Sequence, residues 1–147
     1  MKGLHSVIDA LRGLPDELRR KVLRRALAAG ARVVRDEAKQ HAPVLSNERP
    51  VPYRAPGTVQ KAIAVRTSKR ARRAGDVGVF VNVRPAKKGQ RGATSPTDPF
   101  YWRWLEFGTT KLEGRGFLQK GGQRLGDALS KFTQVAGPAI QRLNRPK

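Results

Sequence analysis

His5, His41 and Glu106 are the side chains best placed for acid, base or metal chemistry in this chain, and their surroundings argue against all three roles. Neither histidine has a His-x-x-x-His partner or a nearby carboxylate pair, so neither has metal-ligand or general-base spacing. They read as ordinary polar residues at a terminus and at a helix end. Glu106 lies inside an aromatic run with no second catalytic partner in view. Its expected role is a carboxylate pairing with an arginine across a subunit contact. Cysteine is absent, which removes thiol nucleophiles, disulfides and thiolate ligands together. No catalytic residue, cofactor site or metal site is predicted, and the chain is not expected to be an enzyme.

Charge is the chemistry the chain does carry. There are 31 Lys and Arg against 11 Asp and Glu, giving +20. The excess is spread along the chain and peaks over residues 46–99, with 12 basic and 3 acidic residues. Lys69, Arg70, Arg72 and Arg73 form one cluster, and Lys87, Lys88 and Arg91 another. Either could grip phosphates, meet an acidic protein partner or remain solvated. Five of the nine aromatic residues, Phe100, Tyr101, Trp102, Trp104 and Phe107, fall in one short segment. They could stack bases, but aromatics on a short helix more often anchor a core or an interface. No helix-turn-helix, zinc-finger or RNA-recognition signature accompanies them.

These residues need a scaffold, and the periodicity supplies one. Leu18, Val22, Ala26, Ala29 and Val33 recur at helical spacing between Pro15 and His41, predicting a helix about 39 Å long at ~1.5 Å per residue. Leu4 to Leu11, stopped by Gly13, predicts a shorter helix before it. Residues 43–57 read as a proline-rich arm. Val59 to Thr67 and Val77 to Val83 read as two strands of a hairpin whose tip carries Lys69, Arg70, Arg72 and Arg73. A long loop over 84–98 leads to Asp98-Pro99, expected to cap a short aromatic helix that stops at Gly108. A final helix is predicted from Phe117 until Gly137-Pro138 kinks or ends it. The length suits one domain. No run approaches the ~20 apolar residues of a membrane span, and the first residues lack a signal peptide's apolar centre, so a soluble protein made in the cytoplasm is expected.

The order of these elements resembles a known family. The long helix ends in Glu37-Ala38-Lys39-Gln40-His41-Ala42-Pro43, and the arm leads to Pro56-Gly57-Thr58-Val59-Gln60-Lys61-Ala62-Ile63. A valine strand is followed by Tyr101-Trp102-Arg103-Trp104-Leu105-Glu106-Phe107-Gly108-Thr109-Thr110, with Gly116-Phe117-Leu118 opening the last helix. This pattern, over roughly residues 10–135, resembles the tail-component family of long-tailed bacteriophages, called tail-completion, head-tail joining or neck proteins. Two departures stand out: Gly116 replaces the usual proline before Phe117, and Gly121 stands where Pro-Ala is common, which predicts a looser start to the last helix.

The resemblance implies an α+β domain, a long N-terminal helix packed on a small antiparallel sheet with a short aromatic helix and a C-terminal helix. It implies a structural virion protein, assembled in the host cytoplasm, that forms a homo-oligomeric ring at the head-tail junction, most readily a hexamer, among other neck and tail proteins and with no membrane partner. Trp102, Trp104, Glu106, Phe107, Gly108, Thr109 and Phe117 are the expected packing or interface residues. Non-specific contact with phage DNA could use the basic loops. A tail terminator or head-closure protein of the same machine, or a free basic protein binding nucleic acid without sequence preference, are the other readings.

Overall fold

The computed structural model describes residues 2–45 and 51–144, and within it the chain gathers into two compact units. One comprises residues up to Val34, Val65–Phe80 and the chain from Arg124; the other comprises Arg35–Ala64 and Val81–Gln123. The class is the expected mixture of helix and sheet, with a two-stranded antiparallel sheet. Positions 46–50 of the predicted arm lie outside the described residues.

Helix drives the first unit. Helix α1 spans Lys2–Arg12 and α2 spans Asp16–His41. Asp16 and Glu17 in the first turn of α2, and Lys39 and His41 in its last, match the helix dipole. The apolar stripe read from the sequence is buried where it is smallest: Val22, Ala26 and Ala29 are enclosed. They meet α7, Leu125–Leu143, which offers Ala128, Phe132, Ala136 and Ile140 at successive four-residue steps. Val7 and Leu11 of α1, with Leu14, complete that core. The larger part of the α2 stripe therefore packs on helices, not on the sheet.

The second unit has its own core. Ala38 and Ala42 at the end of α2 join Val59, Ile63, Val83 and Phe117 there. It is through this cluster that the helix meets the sheet.

Three local expectations change. The predicted strand at Val59 begins instead as a helical turn, α3, Thr58–Ala62, and only then becomes β1, Ile63–Thr67. Gly57, at φ 75°, reverses the chain, and its carbonyl accepts from Lys61 N–H, so Val59 and Ile63 share a face by a four-residue helical step. The basic hairpin tip is a capped turn of helix, α4, Lys69–Arg73: the Ser68 hydroxyl accepts from Ala71 N–H at 3.1 Å. Strand β2, Val79–Val83, then returns along β1. The last helix is two, α6 at Phe117–Gly122 and α7, and α7 runs through Pro138 to Leu143. Pro138 sits on an exposed face of α7, as does Gln134, whose carbonyl loses its donor to the proline.

Gly30 explains how α2 and α7 come so close. A Cβ there would lie 2.6 Å from the Ala128 carbonyl oxygen. Gly30→Ala gains up to about 1 kcal/mol of helix propensity but loses about 1–3 kcal/mol to overpacking, so a net destabilisation is expected, read as a lower melting temperature. A higher melting temperature would contradict this helix contact.

Candidate functional site

The segment from Asp98 to Phe117 is tied together by backbone hydrogen bonds and by the side chains of Asp98, Glu106 and Thr109. Asp98 is buried and accepts from Gly92 N–H at 2.8 Å, so it closes the 84–98 loop and does not cap the aromatic helix as expected. That helix, α5, spans Trp102–Phe107 and ends on Gly108 at φ 82°, ψ −179°, a conformation that excludes side chains. Gly108 and Gly114 then pass face to face. A Cβ on Gly108 would meet Gly114 N at 2.6 Å, and one on Gly114 would meet the Phe107 carbonyl carbon at 2.6 Å. The Thr109 hydroxyl accepts from Leu112 N–H at 3.1 Å, and Thr109 N–H donates to the Leu112 carbonyl at 2.7 Å.

Glu106 closes this turn from both ends of the residue. Its carbonyl accepts from Gly116 N–H at 3.1 Å, while its carboxylate accepts from Leu118 N–H at 2.9 Å and Gln119 N–H at 3.1 Å. The side chain caps the start of α6 from twelve residues away, and at 7% exposure it is buried. Both oxygens are used inside the chain, in place of the expected arginine partner. The start of α6 is accordingly held and not loose. Gly116 adopts φ 56°, which the ring of a proline forbids and glycine takes without strain, so this start differs from one built on the proline that was expected.

With the turn fixed, its aromatic side chains divide. Phe117, at 0% exposure, lies in the second core, with Trp102, Tyr101 and Leu105 packed against it. Trp104 is 53% exposed and Phe107 77%. Trp104 also borders an apolar groove of about 300 Å³, walled by Val44, Val51, Leu105 and Leu112. Arg54 steadies the arm beside it, its guanidinium 4.8 Å above the Phe100 ring and 5.0 Å above Tyr101, while Nη1 donates to the Ala93 carbonyl at 2.7 Å. Burial pushes the Tyr101 phenol above its ordinary pKa, with the Arg54 charge and the Thr58 hydrogen bond pulling the other way.

The basic clusters fall in different units. Lys69, Arg70, Arg72 and Arg73 are all exposed on α4 of the first. Lys87, Lys88 and Arg91 are exposed on the 84–98 loop of the second, where Arg91 Nε donates to the Ala86 carbonyl at 2.8 Å. Sequence reasoning missed a third gathering in the second unit: Arg35, Lys39, Lys61, Arg84 and Lys87 surround an open cleft of about 560 Å³. Only the Arg35–Lys39 step, one helical turn, was visible in the sequence. His41 Nε2 stands 3.0 Å from Glu37 Oε1 on the surface of α2, and His5 is exposed. Among the described residues no group of three or more His, Cys, Asp or Glu could hold a metal ion.

Comparison with known families supplies the context for this turn. The model of the family described as bacteriophage HK97-gp10 tail component matches residues 5–108. The chain belongs to this HK97-gp10-like tail-component family. No curated protein and no solved structure matches it. Membership makes it a bacteriophage tail component, and no helix among the described residues is long and apolar enough to cross a membrane. The match ends at Gly108, so the matched stretch of this tail component takes in Glu106, while the amides that Glu106 caps lie beyond it.

Replacing Glu106 by alanine strips two amides of a charged acceptor and should cost about 2–4 kcal/mol of stability. Urea denaturation measures it. A loss below about 0.5 kcal/mol, the level of an ordinary surface change, would mean the turn does not depend on this carboxylate.

Proposed function

We propose that this tail component is a structural, non-catalytic subunit whose two units act as one building block of a ring at the head-tail junction, as a tail-completion or neck protein. The observation that carries the reading is the pairing of a protruding ring, Phe107 at 77% exposure, with an apolar groove of about 300 Å³ in the same unit. A knob and a groove on one subunit suit a heterologous contact, in which each copy inserts into the next and the series closes. A hexamer matches the symmetry of long tails that the family resemblance implies. A tail terminator or head-closure protein would use the same contact at a neighbouring level of the particle, since a fold does not fix position.

Sedimentation velocity separates stability from assembly. Phe107→Ala and Trp104→Ala should leave monomer stability within about 1 kcal/mol, because both rings are largely in water, yet each should weaken the subunit contact by about 2 kcal/mol or more. Rings at wild-type concentration in both variants would end the proposal, as would infectious particles at normal yield when these variants complement a phage lacking the gene.

A second contact is favoured by α4, whose four cations are all exposed on a turn with no buried residue of its own. Such a turn can touch passing DNA without strain in the fold. Neutralising Lys69, Arg70, Arg72 and Arg73 should reduce the salt slope of log K for duplex DNA by up to about 3.6, or about 0.9 per lost phosphate contact. An unchanged slope leaves these charges for an acidic protein neighbour or for solvent.

A further inference from the structure

The cleft of the second unit collects cations from three separated stretches of chain. Arg35 and Lys39 come from α2, Lys61 from α3, and Arg84 and Lys87 from the segment after β2. Its wall contains no carboxylate. Arg35 is shared with Asp36 at 2.7 Å, outside the cleft, and among the described residues the other four cations form no ion pair. Holding like charges around one concavity is unfavourable unless an anion enters it.

The floor narrows the choice of anion. It includes buried Ile63 and Pro99 with half-buried Ala62 and Ala64, and no aromatic residue lines the cleft. Single-stranded nucleic acid is held by stacking on aromatic faces, which this floor lacks. A duplex is too wide and too stiff to enter a concavity of about 560 Å³. Apolar floor and cationic rim together fit an extended peptide that places small apolar side chains inward and carboxylates at the rim. A second copy of this chain does not provide it, because none of its 11 acidic residues lies two positions from another, the spacing that such alternation requires. We propose that the cleft bounded by Arg35, Lys39, Lys61, Arg84 and Lys87 receives an extended acidic segment of a different protein of the particle. This site is separate from the aromatic turn, so the inference goes beyond the ring reading.

Fluorescence anisotropy of the full chain with a labelled peptide of alternating glutamate and alanine, at about 0.15 M salt, tests it. Lys61, Arg84 and Lys87 are exposed, so Lys61→Gln/Arg84→Gln/Lys87→Gln should stay folded, which circular dichroism checks. That variant should bind the peptide about tenfold more weakly, while the equally neutralised Arg70→Gln/Arg72→Gln/Arg73→Gln control changes by less than about twofold. The charge-preserving Lys61→Arg/Arg84→Lys/Lys87→Arg should keep wild-type affinity within about threefold. Equal weakening by the cleft and α4 variants would overturn the proposal, since the peptide would then be reading net charge. So would an oligothymidylate that binds more tightly than the peptide and loses affinity selectively in the cleft variant. Because peptide binding is read on the purified chain, failure here leaves the ring untouched, and failure of ring assembly leaves this result standing.

Discussion

A carboxylate that leaves water must find donors, and Glu106 finds them in the first free amides of α6. The exchange helps both sides. Helix α6 is too short to hold its own start, and its N-cap, Gly116, has no side chain to offer. Glu106 in turn is anchored on α5 just before the glycine that ends it. One side chain therefore couples the aromatic helix to the helix that carries Phe117, the fully enclosed ring of the second core. The loop between them can be tight because Gly108 and Gly114 let two backbone strands touch. Rigidity of this turn has a consequence for Trp104 and Phe107: their exposure is not the slackness of a loop end, and an interface built on them loses little conformational entropy on forming.

Both cores are small and helix-rich, and much of their surface comes from alanine. Ala26, Ala29 and Ala38 are the buried face of α2 with Val22, and buried Ala42 directly follows it, so α2 packs by closeness more than by bulk. Alanine loses no rotamer freedom and lets helix backbones approach, as the Gly30 contact with Ala128 does in the extreme. The return per residue in buried area is low, and with no cysteine the chain has no disulfide to add. A domain of this kind gains much from burying Phe107, Trp104 and Leu112 against a neighbour.

What could be read in the sequence follows from how local each cause is. Helix α2 was legible because its stripe from Leu18 to Val33 repeats over about four turns, and the Gly108 stop because the glycine acts where it stands. The Val59 segment misled because Val59 and Ile63 lie four apart, a step that serves a helical face or the alternation of a strand, and Gly57 decided between them. The cue for α4 was present in Ser68 but outweighed by the valines on either side, which made the pair look like a plain hairpin. Glu106 could be picked out by its company, yet its partners are amides, which carry no residue identity in the sequence. The cationic cleft was beyond reach for another reason: a sum over three distant stretches appears only once the chain has folded.

The charge of +20 now reads as several separate arrangements. On α4 the cations stand exposed on a turn with no buried residue of its own, which suits a polyanion reached from a distance. Arg54 is spent on aromatic faces and a carbonyl, so it is structural despite its charge. Around the cleft the cations converge on an apolar floor, and convergence is the property that distinguishes a site from a net charge. A free nucleic-acid-binding protein would be expected to place its aromatics among its cations, as stacking platforms need. Here the exposed ring of Trp104 borders an apolar groove walled by Val44, Val51 and Leu112, and that of Phe107 stands in solvent on the same helix, while the cleft that gathers cations has no ring in it. That segregation of apolar from cationic surface favours a subunit that meets one protein through its rings and another through its charges.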